Sequence, residues 1–193
     1  MPLQLRSGPA NEPVSLSEAK VFLRIDGTDD DILVSSLITA ARIYIETTIS
    51  KILITENWSF FKDKWPTSGV VHLPLSPVQS IDEIRVYNQD NTYSTLPAET
   101  YASDLISSQP RIKFLETSPS IATPRHFNQL EVQFTAGFGN TETDVPSDLR
   151  QALLMLTAHW YEQREPIGFG GSFNEIPTTI SALLSSYKTH RMQ

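Results

Sequence analysis

The side chains best suited to metal or acid–base chemistry are four histidines, which are spread along the chain: His72, His126, His159 and His190. His159 and Glu162 lie three residues apart, a spacing that would present two metal ligands on one face of a helix. A metal site needs further ligands, and no other segment supplies them at a recognisable spacing. We therefore favour a histidine with local hydrogen bonds near a helix end. The sequence predicts no metal and no cofactor.

The sequence contains no motif for nucleophilic catalysis or phosphate binding. It has no cysteine, which excludes disulfides, thiolate catalysis and cysteine-bound metals. No serine lies in a G-x-S-x-G elbow, and the glycines at 137–139 and 168–171 match neither a dinucleotide nor a P-loop motif. Asp82 and Glu83 are adjacent in a predicted strand, so they point to opposite faces. We predict no catalytic residue and a protein that is not an enzyme.

Aromatic residues in the middle of the chain raise the possibility of base stacking, as in single-strand binding proteins. A stacking groove also needs cations beside the rings, and only Lys62 and Lys64 lie close to them, next to Asp63. The chain has 22 acidic and 15 basic residues, a net charge of −7, and no basic run. Its average field repels phosphate, so packing in a core or between subunits is the favoured role for these rings.

The sequence predicts a location in the cytoplasm and no membrane partner. No apolar run approaches the roughly 18–20 residues of a membrane span. The first residues, MPLQLRSGPANEP, lack the charged and then apolar layout of a signal peptide.

Two helices are predicted near the N-terminus. Ser15 and Glu18 form a capping box that begins the first helix, and an acidic loop at 24–30 ends it. Aspartates of this loop are expected to cap the second helix, which is predicted to run to about Ile49.

The second helix carries an apolar arc that is too wide for a single packing partner. One stripe contains Leu33, Leu37, Ala40, Ala41 and Tyr44, and the adjoining one contains Val34, Ile38, Ile45 and Ile49. Two interpretations remain open: the helix is central in a bundle, or part of the arc packs against another subunit. In the second case we place Val34, Ile38 and Ile45 in the subunit interface.

From Ile52 to about Ala136 the apolar period changes to strict alternation, which predicts an antiparallel, half-solvated sheet. Helical patterns return at Asp144, where a third helix is predicted to begin; Met155 and Tyr161 widen its apolar stripe and join the predicted interface. A short fourth helix follows, with Ile176, Ile180, Leu183, Leu184 and Tyr187 on one side.

This order of elements predicts an α+β fold, because short terminal helices cannot bury their apolar stripes alone. The terminal helices should form a small discontinuous bundle from residues 1–51 and 144–193. The antiparallel β lobe, residues 52–143, is then inserted between the second and third helices.

Several short segments together carry a resemblance that covers nearly the whole chain. In order, they are PVSLSEAK (13–20), LRID (23–26), DDDI (29–32), AARIYIE (40–46), ITENW (54–58), LPLSPV (73–78), FTAGFG (134–139), VP (145–146) and AHWYEQRE (158–165). The sequence resembles the head-to-tail connector, or head-completion adaptor, proteins of tailed double-stranded DNA phages, prophages and gene-transfer particles. It departs from them at Ser50-Lys51, where the family usually has Gly-Arg, so Ser50 must adopt a cap conformation that glycine adopts at lower cost.

The resemblance implies a non-enzymatic structural protein that forms a ring of about a dozen copies in the assembled particle. Such a ring docks under the portal protein at the head–tail junction of the virion, extends the DNA channel and offers a platform to the next connector or tail protein. Before assembly the protein would lie in the host cytoplasm. A tail-completion or other minor virion protein is the alternative, and a small hydrolase or metal enzyme is disfavoured.

The resemblance also implies roles for two segments. Portal attachment is expected at residues 180–193, where we name Ile180, Leu183, Leu184, Tyr187, Lys188 and Arg191. DNA is expected to pass through the ring without specific binding, because about a dozen copies would carry on the order of 80 negative charges. Asp29, Asp30 and Asp31 are the acidic residues that we expect to face the channel.

Overall fold

The computed structural model of the chain describes residues 3–115, 123–163 and 176–188. The chain forms two compact units. One comprises Met1–Pro9 and Thr55–Phe138, and the other comprises Ala10–Ile54 and Gly139–Gln193. We call them the β unit and the helical unit. The described residues contain four α-helices and two antiparallel sheets, so the predicted α+β class is confirmed.

The helical unit contains α1 (Leu16–Leu23), α2 (Asp31–Ile49), α3 (Ser147–Glu162) and α4 (Thr178–Ser185). α1 begins as predicted, since the Ser15 hydroxyl accepts a hydrogen bond from the Glu18 backbone N–H at 3.2 Å. The carboxylate of Glu18 instead accepts from Arg150 Nη2 on α3, at 2.7 and 2.6 Å. Glu18 therefore links the first helix to the third.

The third helix begins later than the sequence predicts. Asp144 closes a 3-10 turn, Glu142–Asp144, in which Thr141 and Asp144 form the capping box. α3 then begins at Ser147, after Pro146. Proline is suitable at this boundary because it lacks a backbone N–H, and the first N–H groups of a helix have no partner within the helix. Asp148 lies in the first turn, where a carboxylate complements the helix dipole.

The buried side of α2 faces the rest of its own unit. Val34, Ile38, Ala41, Ile45 and Ile49 are buried, and the helix packs against α1, α3 and α4. By length and composition alone α2 could cross a membrane, but core helices pass the same test, so this is weak evidence. Two ionised side chains, Arg42 and Glu46, are buried along this helix, as in a helix of a folded core.

Ser50 ends α2 in the left-handed conformation that the sequence predicts, with φ 57° and ψ 36°. Replacing Ser50 with glycine should raise the free energy of unfolding by about 0.5–1 kcal/mol. A residue with a Cβ loses about 1–2 kcal/mol in this conformation, and the greater freedom of glycine in the unfolded chain offsets part of the gain. Urea denaturation measures the difference. Ser50→Ala is the control, and equal stability of the two variants would contradict the explanation.

The described residues of the β unit form eight strands in two sheets. The strands are β1 (Leu3–Ser7), β2 (Glu56–Lys62), β3 (Val70–His72), β4 (Val78–Tyr87), β5 (Tyr93–Thr95), β6 (Tyr101–Asp104), β7 (Arg111–Phe114) and β8 (Leu130–Ala136). The larger sheet has the order β1-β2-β8-β4-β5 and the smaller one β3-β7-β6. Sequence analysis placed no strand at residues 3–7, which pair with β2.

The central strand β8 divides the larger sheet into an apolar and a polar face. Phe134 lies opposite Trp58 and Ile81, and Val132 lies opposite Phe60 and Ile84. On the other face, Glu131 and Gln133 are also buried, at 5% and 4% exposure. The expectation that this face is solvated is therefore wrong for β8, because neighbouring side chains cover and hydrogen-bond its polar groups.

Candidate functional site

The histidine and carboxylate positions do not form a reactive cluster in the part of the chain that the structure describes. Within it, no three His, Asp or Glu side chains come together in a way that could hold a metal ion. His159 lies in the last turn of α3, but its Nε2 is buried and makes no hydrogen bond to a described residue. The local hydrogen bond expected for this ring is therefore not formed at Nε2.

The predicted subunit interface on α2 requires a correction. Val34, Ile38 and Ile45 are buried within the helical unit, so these three side chains have no free surface for a neighbouring subunit. Met155 and Tyr161 of α3 are partly exposed, and the Tyr161 hydroxyl donates to the carboxylate of Asp30. The three α2 residues of the predicted interface are therefore already covered by the chain itself.

A different side of α2 is exposed and carries no charge. Its exposed residues at helical spacing are Ile32, Ser36, Ala40, Ile43 and Thr47, which we call the α2 stripe. Ile32 is 88% exposed and Ile43 is 52% exposed. Helix faces that contact water usually carry charged residues, so a long uncharged stripe with two exposed isoleucines indicates a protein contact.

The helical unit exposes two further large apolar side chains, Val21 and Phe22, on α1. The sequence pattern did not predict that Phe22, Ile32 and Ile43 would be exposed. Phe22 was expected to point inward, and Ile32 and Ile43 lie outside both predicted stripes. The signal was present in the sequence: isoleucines at positions 32 and 43 lie eleven residues apart, which is three helical turns.

The residues predicted to bind the portal are divided by the structure. Ile180 and Leu184 are buried where α4 packs on α2 and α3, so they are not free to enter a groove on a partner. Leu183 is partly exposed and Lys188 is exposed. Arg191 lies outside the described residues. Intramolecular packing, the alternative to docking, therefore accounts for Ile180 and Leu184, the two buried residues of this face.

Tyr187 also makes an internal contact. Its hydroxyl donates to Asp148 Oδ1 in the first turn of α3 at 2.8 Å. Burial, together with this hydrogen bond to a carboxylate, raises the pKa of Tyr187 to about 12. The contact ties the end of α4 to the start of α3.

This contact predicts a pH dependence above neutrality. An unfolded tyrosine ionises near pH ~10, whereas Tyr187 in the folded chain keeps its proton until about pH 12. The stabilisation from Tyr187 is then fully present below about pH 10 and is lost as the pH rises towards 12. Tyr187→Phe should cost about 1 kcal/mol at neutral pH, and this difference should shrink above about pH 10. Urea unfolding of both proteins at several pH values measures it, and a constant difference would contradict the assignment.

The three aspartates predicted to face a channel differ in their contacts. Asp31 forms an ion pair with Lys20, with Nζ 2.5 Å from Oδ1, and Asp30 accepts from Tyr161. Asp29 is exposed and makes no hydrogen bond or ion pair to a described residue. Asp30 is the N-cap residue of α2 by position, but its side chain makes no capping hydrogen bond. Of the three aspartates, Asp29 is therefore the one whose carboxylate is best placed to act on a molecule outside the chain.

Comparison with known proteins gives a family and a fold. A family model described as head completion protein matches residues 14–190. The neck of an empty gene transfer agent (GTA) particle, computed with C6 symmetry, contains a chain that is 24% identical with a TM-score of 0.84. Each of the structures compared is covered over 98% of its chain and covers 100% of this one.

Two further solved structures are similar over the same length. The virion of a native GTA particle contains a chain that is 25% identical with a TM-score of 0.82. The neck of a native GTA particle, computed with C12 symmetry, contains one that is 25% identical with a TM-score of 0.81. No curated protein matches the sequence.

Proposed function

Because this chain belongs to the head completion protein family, we propose that it is a structural connector of the head–tail junction that works as a closed ring. The α2 stripe carries this proposal: it leaves an uncharged apolar surface on an otherwise acidic chain. The similar chains occur in particle necks with C6 and C12 symmetry, which supports a cyclic arrangement.

The ring contact in this proposal is heterologous, so one subunit presents the α2 stripe and its neighbour presents a different surface. A heterologous contact closes into a ring when the rotation between subunits divides a full turn. Met155 is a second, partly exposed candidate for the contact. In this proposal the helical unit, Ala10–Ile54 and Gly139–Gln193, makes the ring. The predicted bundle, residues 1–51 and 144–193, differs from this unit at its N-terminus, because β1 pairs with β2 in the β unit and is not part of the lobe predicted at residues 52–143.

The partners we propose are the portal protein on one side and the next connector or tail protein on the other. Of the residues predicted for portal attachment, Leu183 and Lys188 are accessible. A lysine near the end of α4 complements the negative end of the helix dipole and an acidic partner surface. DNA passes through the channel without specific binding, since the acidic chain repels it and the exposed Asp29 adds to that field.

The proposed function is tested by assembling particles without this protein. Heads should fill with DNA but fail to join tails, and purified protein added to these heads should restore tail attachment. Electron microscopy counts tailed and tail-less heads before and after the addition. Formation of tailed heads at the normal frequency without the protein would contradict the proposal.

A further inference from the structure

A cavity of about 420 Å³ lies on the polar face of the five-stranded sheet in the β unit. Six residues line it: Leu3, Gln4, Phe61, Tyr87, Arg125 and Asn128. They come from β1, β2, β4 and the segment before β8, so the cavity spans the sheet at one end of its strands. Its walls thus combine apolar and aromatic surface with amide and guanidinium groups.

Next to this cavity, several side chains of the polar face form hydrogen bonds to one buried carboxylate, that of Glu131. Glu131 accepts from the Ser59 hydroxyl at 2.6 Å, the Tyr87 hydroxyl at 2.6 Å and Gln133 Nε2 at 3.1 Å. Arg6 donates to the amide oxygen of Gln133. A carboxylate with three donors is well satisfied, and it fixes the orientation of the Tyr87 ring.

Arg125 supplies the cation that lines the cavity. The guanidinium carbon of Arg125 lies 5.3 Å from the centroid of the Tyr87 ring. In residues 3–115, 123–163 and 176–188, Arg125 has no carboxylate partner, and the side-chain amides of Gln4 and Asn128 make no hydrogen bond. The nearby carboxylate of Asp63 accepts from the Asn128 backbone N–H at 3.0 Å. Three donor groups therefore line the cavity, and one of them is a guanidinium that forms no ion pair with a described carboxylate.

We propose that this cavity binds an acidic side chain, with a neighbouring apolar or aromatic residue, from another protein of the particle. The Arg125 guanidinium pairs with the carboxylate, the two amides complete its hydrogen bonds, and Phe61 and Tyr87 receive the apolar neighbour. A guanidinium stacked on a ring is already oriented, so little side-chain freedom is lost on binding.

A protein segment fits this site better than DNA does. Tight binding of a DNA backbone uses several cations along a groove, whereas a single cationic side chain, that of Arg125, is among the described residues that line this cavity. The cavity has room for one or two side chains, and the net charge of −7 opposes a polyanion. The inference rests on the proposed function in one respect: it takes the partner to be a neighbouring protein of the particle. Its test requires no ring, so the two can fail separately.

The test is a titration of the full-length ¹⁵N-labelled protein, followed by backbone amide NMR shifts. The probe is a blocked tetrapeptide, Phe-Glu-Phe-Asp, and its neutral match is Phe-Gln-Phe-Asn. We expect the acidic peptide to bind with a Kd on the order of 1 mM and to shift the amides around the cavity. Arg125→Gln should weaken this binding about tenfold, while Lys64→Gln, which removes a nearby exposed cation outside the cavity, should change it less than about twofold.

Four results would overturn the inference, three with the peptides and one with an oligonucleotide. The first is equal binding of the acidic and neutral peptides, and the second is unchanged binding by Arg125→Gln. The third is the absence of shifts around the cavity at about 10 mM acidic peptide, ten times the expected Kd. A single-stranded oligonucleotide that shifts the same amides more strongly than the peptide would instead assign the cavity to nucleic acid.

Discussion

Replacing Arg42 with methionine is expected to lower the free energy of unfolding of the helical unit by about 3–5 kcal/mol. Arg42 and Glu46 are each only 7% exposed. Arg42 Nη1 lies 2.9 Å from Glu46 Oε2, and its Nε lies 2.8 Å from Glu12 Oε2. The variant removes the guanidinium that contacts both carboxylates and leaves Glu46 charged in its buried position, which is the costly way to break a buried ion pair. Urea denaturation followed by the helical circular dichroism signal measures the loss.

Two control variants separate charge from packing. Glu46 Oε1 also accepts from the Leu53 backbone N–H at 2.8 Å, so Glu46→Gln keeps an oxygen for that bond. The double variant Arg42→Met with Glu46→Gln removes both charges of the Arg42–Glu46 pair and should be more stable than Arg42→Met alone. Glu12→Gln, at the more exposed end of the network, should cost about 1 kcal/mol or less. A double variant as unstable as Arg42→Met would show that the loss is not electrostatic.

Replacing Ile43 with aspartate is expected to prevent ring formation while leaving the single subunit folded. The side chain is 52% exposed, so its substitution should change the stability of the subunit by less than about 0.5 kcal/mol. A charge in the centre of an apolar contact should weaken each contact at least about 30-fold, and the loss is repeated around a ring. Sedimentation velocity in the presence of the portal protein measures the assembled fraction.

The matched control for this variant is Ile106→Asp. Ile106 is fully exposed, at 100%, and belongs to the β unit, so the same change of chemistry should leave assembly unchanged. Ile32→Asp, at the other exposed isoleucine of the α2 stripe, should act like Ile43→Asp. Normal rings with both stripe variants would exclude the α2 stripe as the subunit contact.

Local chemistry in the sequence predicts the start of α1 and the end of α2 well. Ser15 caps α1 and Ser50 ends α2 in the left-handed conformation, because both depend on residues within one turn of the helix end. The third helix is less well placed, because Asp144 and Pro146 are both common near helix starts. Here Asp144 bonds to Thr141 in a separate turn, and the helix begins three residues later.

The faces of α2 show what periodicity cannot decide. The sequence identifies apolar stripes, but Val34 and Ile38 are buried on a helix that packs against α1 and also against α3 and α4, which begin more than 100 residues later in the chain. Which stripe stays exposed therefore depends on tertiary packing. Glu131 is a similar case in β8, because alternation predicts a solvated carboxylate and only the assembled sheet brings Ser59 and Tyr87 within hydrogen-bond distance.

The central claim, that identical subunits cover the α2 stripe in a ring, is tested most directly by native mass spectrometry of this protein mixed with its portal protein. We expect a complex with one fixed copy number of this chain, and single-particle images of that complex with closed cyclic symmetry and α2 buried between subunits. A portal carrying isolated subunits whose Ile32 and Ile43 contact only solvent would contradict it.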